Sequence, residues 1–368
     1  MKKKLSLICF IFVTGFLIGL PICSLINNIE NQNIATGFFF LSQEAGFEIS
    51  ESILDYNSYM NYGRALMAGV INTIYVATIG NILAFGLGII LGVFSLSKNI
   101  LVSRFCSIYL NFFRNIPLLL QLFFWYGLFT DIMPSVKKAK TIFGVIISNR
   151  GISFPIFDSS WAAILLFLSL FLSICVTYFI RQSLKKSRLR AKGIVSFAVF
   201  FVIQLGLVKL ITFIFNLDYP VVRGFNVRGG VSFSPEFISL LLGLTLYTAA
   251  FMGEIVRSGI QAVDKGQWEA AYALGMNRIQ TLKKIILPQS FKVALPPMTA
   301  QFLNLTKNSS LAVAIGYPDF VSIANTTMNQ TGQAVELVLL IMGLYLFTSL
   351  SVSGISNLIN RKLLGESR

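Results

Sequence analysis

Long uncharged apolar runs constrain the fold of this chain more than any other feature of its sequence. Several of them reach the ~20 residues that a helix needs to cross the hydrocarbon core of a bilayer. Only 12% of the residues are charged, whereas soluble domains carry about 25%, so the chain has too few charges to cover a globular surface. The sequence therefore predicts an all-α polytopic membrane protein.

We predict about eight transmembrane helices. They lie at 5–27, 65–97, 105–130, 161–180, 194–215, 235–257, 291–316 and 335–358. The first run follows Met1-Lys-Lys-Lys, so a cleaved signal peptide is the alternative interpretation. The length of this run and the lack of an A-x-A-like cleavage site favour a retained anchor. We therefore divide the chain into an anchor helix with an external segment, 1–60, and a transmembrane domain, 61–362.

The net charge of +15 is concentrated in the connections between apolar runs. With the N-terminus inside, twenty Lys and Arg residues fall on the cytoplasmic side and seven outside. This asymmetry predicts that both termini and the 258–290 loop are cytoplasmic, although the Lys137–Lys140 cluster departs from it. Nucleic-acid binding is disfavoured, because no basic stripe occurs outside these connections.

The residue types argue against catalysis or ATP binding by this chain. It has no histidine, and its four cysteines lie in apolar runs without a C-x-x-C pair, so neither a metal site nor a disulfide framework is predicted. The sequence also lacks a G-x-x-x-x-G-K-[ST] phosphate loop. If the protein moves a substrate with ATP, another chain must bind the ATP.

The 258–290 loop has the capping pattern of two short helices. Asp264 is predicted to cap a helix from Lys265 to Leu274, with Gln267 in the reciprocal capping position. Gly275 then supplies the stop. The residues that cap and end the second predicted helix are Asn277, Gln280 and Pro288.

One side of the first predicted helix combines small residues with an aromatic anchor. Trp268, Ala271 and Gly275 fall on this side at helical spacing. Small residues allow a close backbone approach, and Trp is enriched at protein interfaces. This pattern fits a docking helix and, equally well, a plain amphipathic helix lying on the bilayer.

The segment Glu269–Pro288 resembles the EAA signature of ABC-importer permeases, which reads E-A-A, three residues, G, nine residues, I-x-L-P. The matching positions are Glu269, Ala270, Ala271, Gly275, Ile285, Leu287 and Pro288. In that family the loop forms a coupling helix that sits in a groove of the ATPase subunit. The resemblance implies an ATPase-coupling role for these residues together with Trp268.

Other segments resemble the polar amino acid branch of that family, which includes histidine and glutamine permeases. Leu110–Gly127 carries its R-x-x-P-x-x-x-Q pattern at Arg114, Pro117 and Gln121. Over roughly 60–362, the chain is most similar to the first permease subunit of general L-amino acid importers. The resemblance implies a type I ABC-importer permease fold in the bacterial inner membrane. It also implies import of polar or general L-amino acids, no cofactor on this chain, and ATP on separate ATPase subunits. The other implied partners are a second permease subunit and an extracytoplasmic binding protein.

Ionisable residues inside predicted spans are costly and mark candidate functional positions. Glu254 is the first: it either meets the α-ammonium group of a substrate or forms a helix-end salt bridge with Arg257. Arg114 either lines the path or snorkels to the inner surface. Lys307 with Asn308 either lines the path or satisfies an unwound helix. Gln121 completes this candidate substrate path.

Two other classes of function compete with this interpretation. An ion-coupled secondary amino acid transporter often shows inverted repeats with paired broken helices, and no similarity between halves is visible here. A membrane-embedded enzyme is disfavoured by the lack of histidine and of paired intramembrane carboxylates.

Overall fold

The computed structural model describes residues 36–183, 192–224 and 226–365, with isolated positions at 16, 19, 20 and 24. The predicted anchor at 5–27 therefore lies outside the described residues, apart from those four positions. The described chain is mainly helical, as predicted, and contains three small antiparallel sheets.

In chain order the α-helices are α1 (Tyr62–Ser95), α2 (Ile100–Asn115), α3 (Leu118–Gly127), α4 (Ser160–Ser183), α5 (Lys192–Ile214), α6 (Pro235–Gln261), α7 (Lys265–Ala273), α8 (Arg278–Thr281), α9 (Leu287–Asn308), α10 (Phe320–Thr331) and α11 (Ala334–Gly365). Two π-helices, Leu128–Ile132 and Leu282–Ile286, follow α3 and α8. The 3₁₀ helices are Phe39–Ser42, Val136–Lys138 and Ser309–Ile315.

The chain forms two compact units, one of residues 1–123 with 240–368 and the other of residues 124–239. The predicted division near residue 60 does not coincide with these units. In the first unit, the segment that begins at residue 36 packs against helices from both ends of the chain. This cluster includes Phe40, Tyr62, Leu66, Phe320 and Leu337.

Helices α1 and α6 pack with almost no space between their backbones. A Cβ added at Gly92 would lie 2.6 Å from the carbonyl oxygen of Gly253. One added at Gly88 would lie 2.6 Å from the Cβ of Met252. Small residues thus allow close helix contact in this membrane protein, as they do generally.

Polar residues of α1 fasten this helix to other parts of the first unit. The Asn72 side chain donates to the carbonyl oxygens of Glu51 and Pro318, each at 2.9 Å. The hydroxyl of Thr73 accepts from the Phe320 amide at 2.9 Å. These buried side chains therefore hold the segment before α10 and the segment before α1 in place.

Among the described helices, α1, α6 and residues 334–358 of α11 are each long and apolar enough to cross a membrane. The span predicted at 105–130 is not one helix, because α2 and the helix from Leu118 to Ile132 are bent by 101°. The span predicted at 291–316 is likewise divided between α9 and a 3₁₀ helix. In α4 and α5, the described apolar stretches are Ile164–Ile180 and Ala198–Ile214.

The second unit contains the paired helices α4 and α5 and all the β-strands. Strands β1 (Thr141–Ile142), β2 (Val145–Ser148), β3 (Gly151–Phe154) and β8 (Val231–Phe233) form an antiparallel sheet in that order. Strands β4 (Ile156–Phe157) and β5 (Leu217–Asp218) pair with each other, as do β6 (Val221–Arg223) and β7 (Asn226–Arg228).

This folded unit accounts for the basic cluster that departs from the charge asymmetry. Lys137 and Lys138 lie in a 3₁₀ helix, and Lys140 directly precedes β1. The positive-inside rule applies to short loops, whereas folded segments are translocated largely regardless of their charge. A basic cluster in a folded unit is therefore compatible with an external location.

Candidate functional site

The segment that carries the EAA pattern forms helix, turn and helix, as predicted. Helix α7 ends in a Schellman motif: the Met276 amide donates to the Ala271 carbonyl at 3.1 Å, and the Gly275 amide donates to the Tyr272 carbonyl at 2.9 Å. Gly275 has φ +74°, a left-handed conformation that costs a glycine little. The predicted stop at Gly275 is confirmed, with α7 ending one residue earlier than expected.

The start of α7 differs in one detail from the prediction. Asp264 caps the helix, its Oδ1 accepting from the Gly266 amide at 2.6 Å. Gln267 does not complete the predicted capping box, because its Oε1 accepts instead from Nε2 of Gln289 at 3.1 Å. This bond joins α7 to the start of α9.

The second helix has the predicted capping box. Asn277 accepts from the Gln280 amide at 2.9 Å, and Gln280 Oε1 accepts from the Asn277 amide at 3.0 Å. The helix then widens into the π-helix Leu282–Ile286 just before Pro288. Proline has no amide to continue the regular ladder, which accounts for a change of helix type here.

Helix α7 has one face turned towards its own chain. Ala271 is fully buried, and Trp268 packs against a cluster formed by α6, the π-helix and α9, which includes Val256, Ile286 and Met298. Trp268 therefore holds the helix in place. Trp268 is half-buried in this structure, and its expected role as an anchor for a partner stays a prediction.

The remaining positions of α7 and the turn after it are exposed, including Tyr272, whose ring centre lies 6.3 Å from that of Trp268. Tyr272 is 47% exposed and Leu274 is 80% exposed. Large contiguous apolar patches are uncommon on the surfaces of soluble proteins and often mark interaction sites. We call these residues the outward face: Glu269, Ala270, Tyr272, Ala273 and Leu274.

Three contacts fix this helical pair to the transmembrane helices. Arg278 donates to the carbonyl oxygen of Leu96, just after α1, at 2.6 Å. Ile285 and Leu287 of the EAA pattern pack into the cluster that receives Trp268. A force applied to the outward face would therefore be transmitted to α1, α6 and α9.

Glu254 lies between two arginines. Its Oε2 is 3.1 Å from Nη1 of Arg114, and its Oε1 is 2.6 Å from Nη2 of Arg257. The guanidinium of Arg114 also lies 5.6 Å from the ring centre of Phe251. Both carboxylate oxygens are thus engaged by the chain itself, which favours the salt-bridge interpretation of Glu254 over a substrate contact.

Gln121 stabilises the sharp bend between α2 and α3. Pro117 has no amide hydrogen, so the carbonyl of Phe113 loses its regular helical partner. Nε2 of Gln121 donates to the carbonyl oxygens of Phe113 and Ile116, each at 3.0 Å. Pro117 and Gln121 therefore act together at this bend, whereas the Arg114 side chain pairs with Glu254.

Lys307 lies at the end of α9 and is exposed. Within the described residues its ammonium group forms no ion pair. Nearby carbonyls are satisfied by hydroxyls: Ser309 donates to Thr306 at 2.7 Å, and Ser310 to Lys307 at 2.8 Å. Asn308, beside it, is half-buried. Lys307 is thus the member of the predicted path whose charge is left available.

Sequence reasoning missed Asp319, which lies beyond the predicted spans. Its Oδ1 accepts from the Ser322 amide at 2.8 Å and caps α10, whereas its Oδ2 is buried without a partner among the described residues. Burial raises the pKa of Asp319 to about 7. The helix-starting pattern Pro318-Asp319 gave the only hint of the cap, and nothing local indicated the burial.

Comparisons with known proteins agree with the geometry. The family described as binding-protein-dependent transport system inner membrane component matches residues 84–365. The chain is 39% identical to YhdX of Escherichia coli (strain K12), over 98% of this chain and 92% of that protein. It is 40% identical to the general L-amino acid transport system permease protein AapQ of Rhizobium johnstonii, over 91% and 86% of the two chains. The glutamate/glutamine/aspartate/asparagine transport system permease protein BztB of Rhodobacter capsulatus is 37% identical, with 91% and 87% covered.

Proposed function

The chain belongs to the family of inner membrane components of binding-protein-dependent transport systems, and from this premise we propose that it is the permease subunit of an ATP-driven importer of polar or general L-amino acids. The single observation that carries the mechanism is the division of α7 into two faces. Trp268 and Ala271 fasten the helix to the chain, while the outward face remains exposed.

The outward face would bind a groove of a separate ATPase subunit on the cytoplasmic side. Its small residues, such as Ala270 and Ala273, allow a close backbone approach, and Tyr272 and Leu274 supply apolar area. The charge asymmetry of the connections supports a cytoplasmic location for this segment and for both termini. ATP bound by two ATPase copies would then move α7, and with it the helices that α7 contacts.

The remaining partners follow from the same proposal. An extracytoplasmic binding protein would deliver the amino acid, and a second, related permease subunit would complete the pathway as a heterodimer. The names of AapQ and BztB support an amino acid substrate. Lys307 is the candidate contact for the substrate carboxylate, because its charge is free of ion pairs within the described residues.

Charge reversal on the outward face tests the coupling role. We expect Glu269→Lys to abolish ATP-driven amino acid uptake in reconstituted vesicles while the protein remains inserted, since it places a cation where the ATPase would bind. Glu48→Lys makes the same charge change at an exposed position of the external segment and should retain uptake. Normal uptake in Glu269→Lys would contradict the docking role.

A cross-link provides a direct readout of the partner. A cysteine introduced as Ala270→Cys and labelled with a photoactivatable maleimide should capture the ATPase subunit in native membranes, whereas the equally treated wild type should not. Capture that fails in transport-competent membranes would show that the outward face does not bind it. Uptake that persists without any ATPase subunit would instead support an ion-coupled transporter.

A further inference from the structure

A cavity of about 750 Å³ lies beside α7, in the first unit. The ends of α1 and α6 form one side, and α7 and α8 form the other. We call it the basic cavity. Its apolar walls include Val93, Phe94, Ile260, Trp268, Ile279 and Leu282.

The charges that line the basic cavity are all positive. Lys98, Lys265 and Arg278 contribute to its lining, and no acidic residue of the described chain does. Arg278 is held in position by the carbonyl of Leu96. Lys98 and Lys265 are exposed and form no ion pair among the described residues, so their charges are available to an anion.

Apolar walls combined with a cationic lining match one class of ligand. Phe94 is 50% exposed and Ile279 is 77% exposed, which leaves a large apolar surface beside three cations. A free inorganic anion would use the cations and leave this surface uncovered. An amphiphile with an acyl chain and a phosphate group would use both.

We propose that the basic cavity binds an anionic phospholipid of the cytoplasmic leaflet. The phosphate group would lie among Lys98, Lys265 and Arg278, with an acyl chain against Phe94 and Ile279. Basic pockets between membrane helices on the cytoplasmic side bind anionic headgroups in this way. The inference rests on the proposed function only for the placement of this side of the protein in the cytoplasm.

This lipid would act on the coupling helix itself. Trp268 lines the basic cavity and also packs against the cluster that holds α7 on α6 and α9. A bound acyl chain would add contacts to the same side chain. The position of the outward face would therefore depend on the occupancy of the cavity by lipid.

Trp268 also provides the probe for the test. The full transporter complex is reconstituted in phosphatidylcholine vesicles that contain either brominated phosphatidylglycerol or, at equal fraction, brominated phosphatidylcholine. The difference between the wild type and Trp268→Phe isolates the fluorescence of this tryptophan. We expect phosphatidylglycerol to quench it more strongly than phosphatidylcholine.

Removal of the two available cations should abolish this preference. In Lys98→Gln/Lys265→Gln, the relative affinity for phosphatidylglycerol should fall by roughly 30-fold, from the attraction typical of two basic side chains near an anionic membrane. Lys284→Gln removes an exposed charge that does not line the cavity, so this variant should keep the preference for phosphatidylglycerol. Phosphatidylglycerol retained per complex after detergent washing, measured by mass spectrometry, gives an independent readout if Trp268→Phe folds poorly.

Several outcomes would overturn the proposal. Equal quenching by both lipids would show an apolar groove without headgroup selectivity. No quenching by either would show that protein covers the cavity. If millimolar inorganic phosphate removed the preference, the ligand would be a free anion. None of these experiments uses ATP or measures uptake. Their outcome therefore tests lipid binding separately from the proposed transport function.

Discussion

The outward face of α7 and the corner between α2 and α3 differ in how their polar and exposed groups are used. At the corner, the side-chain nitrogen of Gln121 donates to the chain itself, and both carboxylate oxygens of Glu254, on the neighbouring α6, engage Arg114 and Arg257. On α7, Glu269 and Leu274 remain exposed. Both regions carry family-like sequence patterns, yet only one of them offers a free surface.

A sequence motif can thus mark an architectural element as readily as a contact with another molecule. The corner residues compensate for a helix break that Pro117 imposes. The outward face is not needed to hold α7 in place, because Trp268 and Ala271 already fix the helix to the chain. The two regions should consequently respond to substitution in opposite ways.

Gln121→Leu should have the largest effect on stability. It leaves the carbonyls of Phe113 and Ile116 without their partner, at about 1–3 kcal/mol for each buried group. We expect a loss of roughly 3 kcal/mol, seen as a lower midpoint of thermal unfolding in detergent. Gln182→Leu removes an exposed amide on α4 and should change the midpoint little. If Gln121→Leu kept its stability and changed the affinity for substrate, Gln121 would belong to the substrate path.

Glu254→Leu should have an intermediate effect. Two arginines lose their shared carboxylate, but all three side chains are partly exposed, so we expect a loss of about 2 kcal/mol rather than the larger cost of a fully buried pair. Glu269→Leu removes an exposed carboxylate and serves as the control. If Glu254→Leu kept its unfolding midpoint and raised only the KM for uptake, Glu254 would be a substrate contact.

Leu274→Ser should have the smallest effect on stability, and it tests the outward face of α7. Leu274 is 80% exposed, and surface substitutions usually change stability by less than about 0.5 kcal/mol. Uptake driven by ATP should nevertheless fall several-fold, because the outward face loses apolar area. A large drop in the unfolding midpoint without loss of coupling would remove the distinction between the two regions.

The sequence predicted best those features that depend on near neighbours along the chain. The box of Asn277 with Gln280 and the stop at Gly275 are set within a few residues, and both are confirmed. Gln267 was assigned to a similar box, but its hydrogen-bond partner Gln289 lies 22 residues further along the chain, in α9. A local sequence pattern does not reveal a competing hydrogen bond from a residue that is distant in the sequence.

The candidate substrate path shows the same limit more strongly. The pairing of Glu254 with Arg257 follows from helical spacing, whereas its pairing with Arg114 depends on how α2 packs on α6. Gln121, which donates to the carbonyls at the bend made by Pro117, was assigned to the path. The sequence alone does not show which face of α7 packs on its own chain, because that depends on the contact of Trp268 with the cluster around Ile286.

The glycine contacts between α1 and α6 have a mechanical consequence. With Gly92 so close to the backbone of Gly253, neither helix has room to slide or roll against the other without a clash. The two must travel as a single rigid body whenever the transporter changes state. The bending that alternating access requires must then occur at other helix contacts.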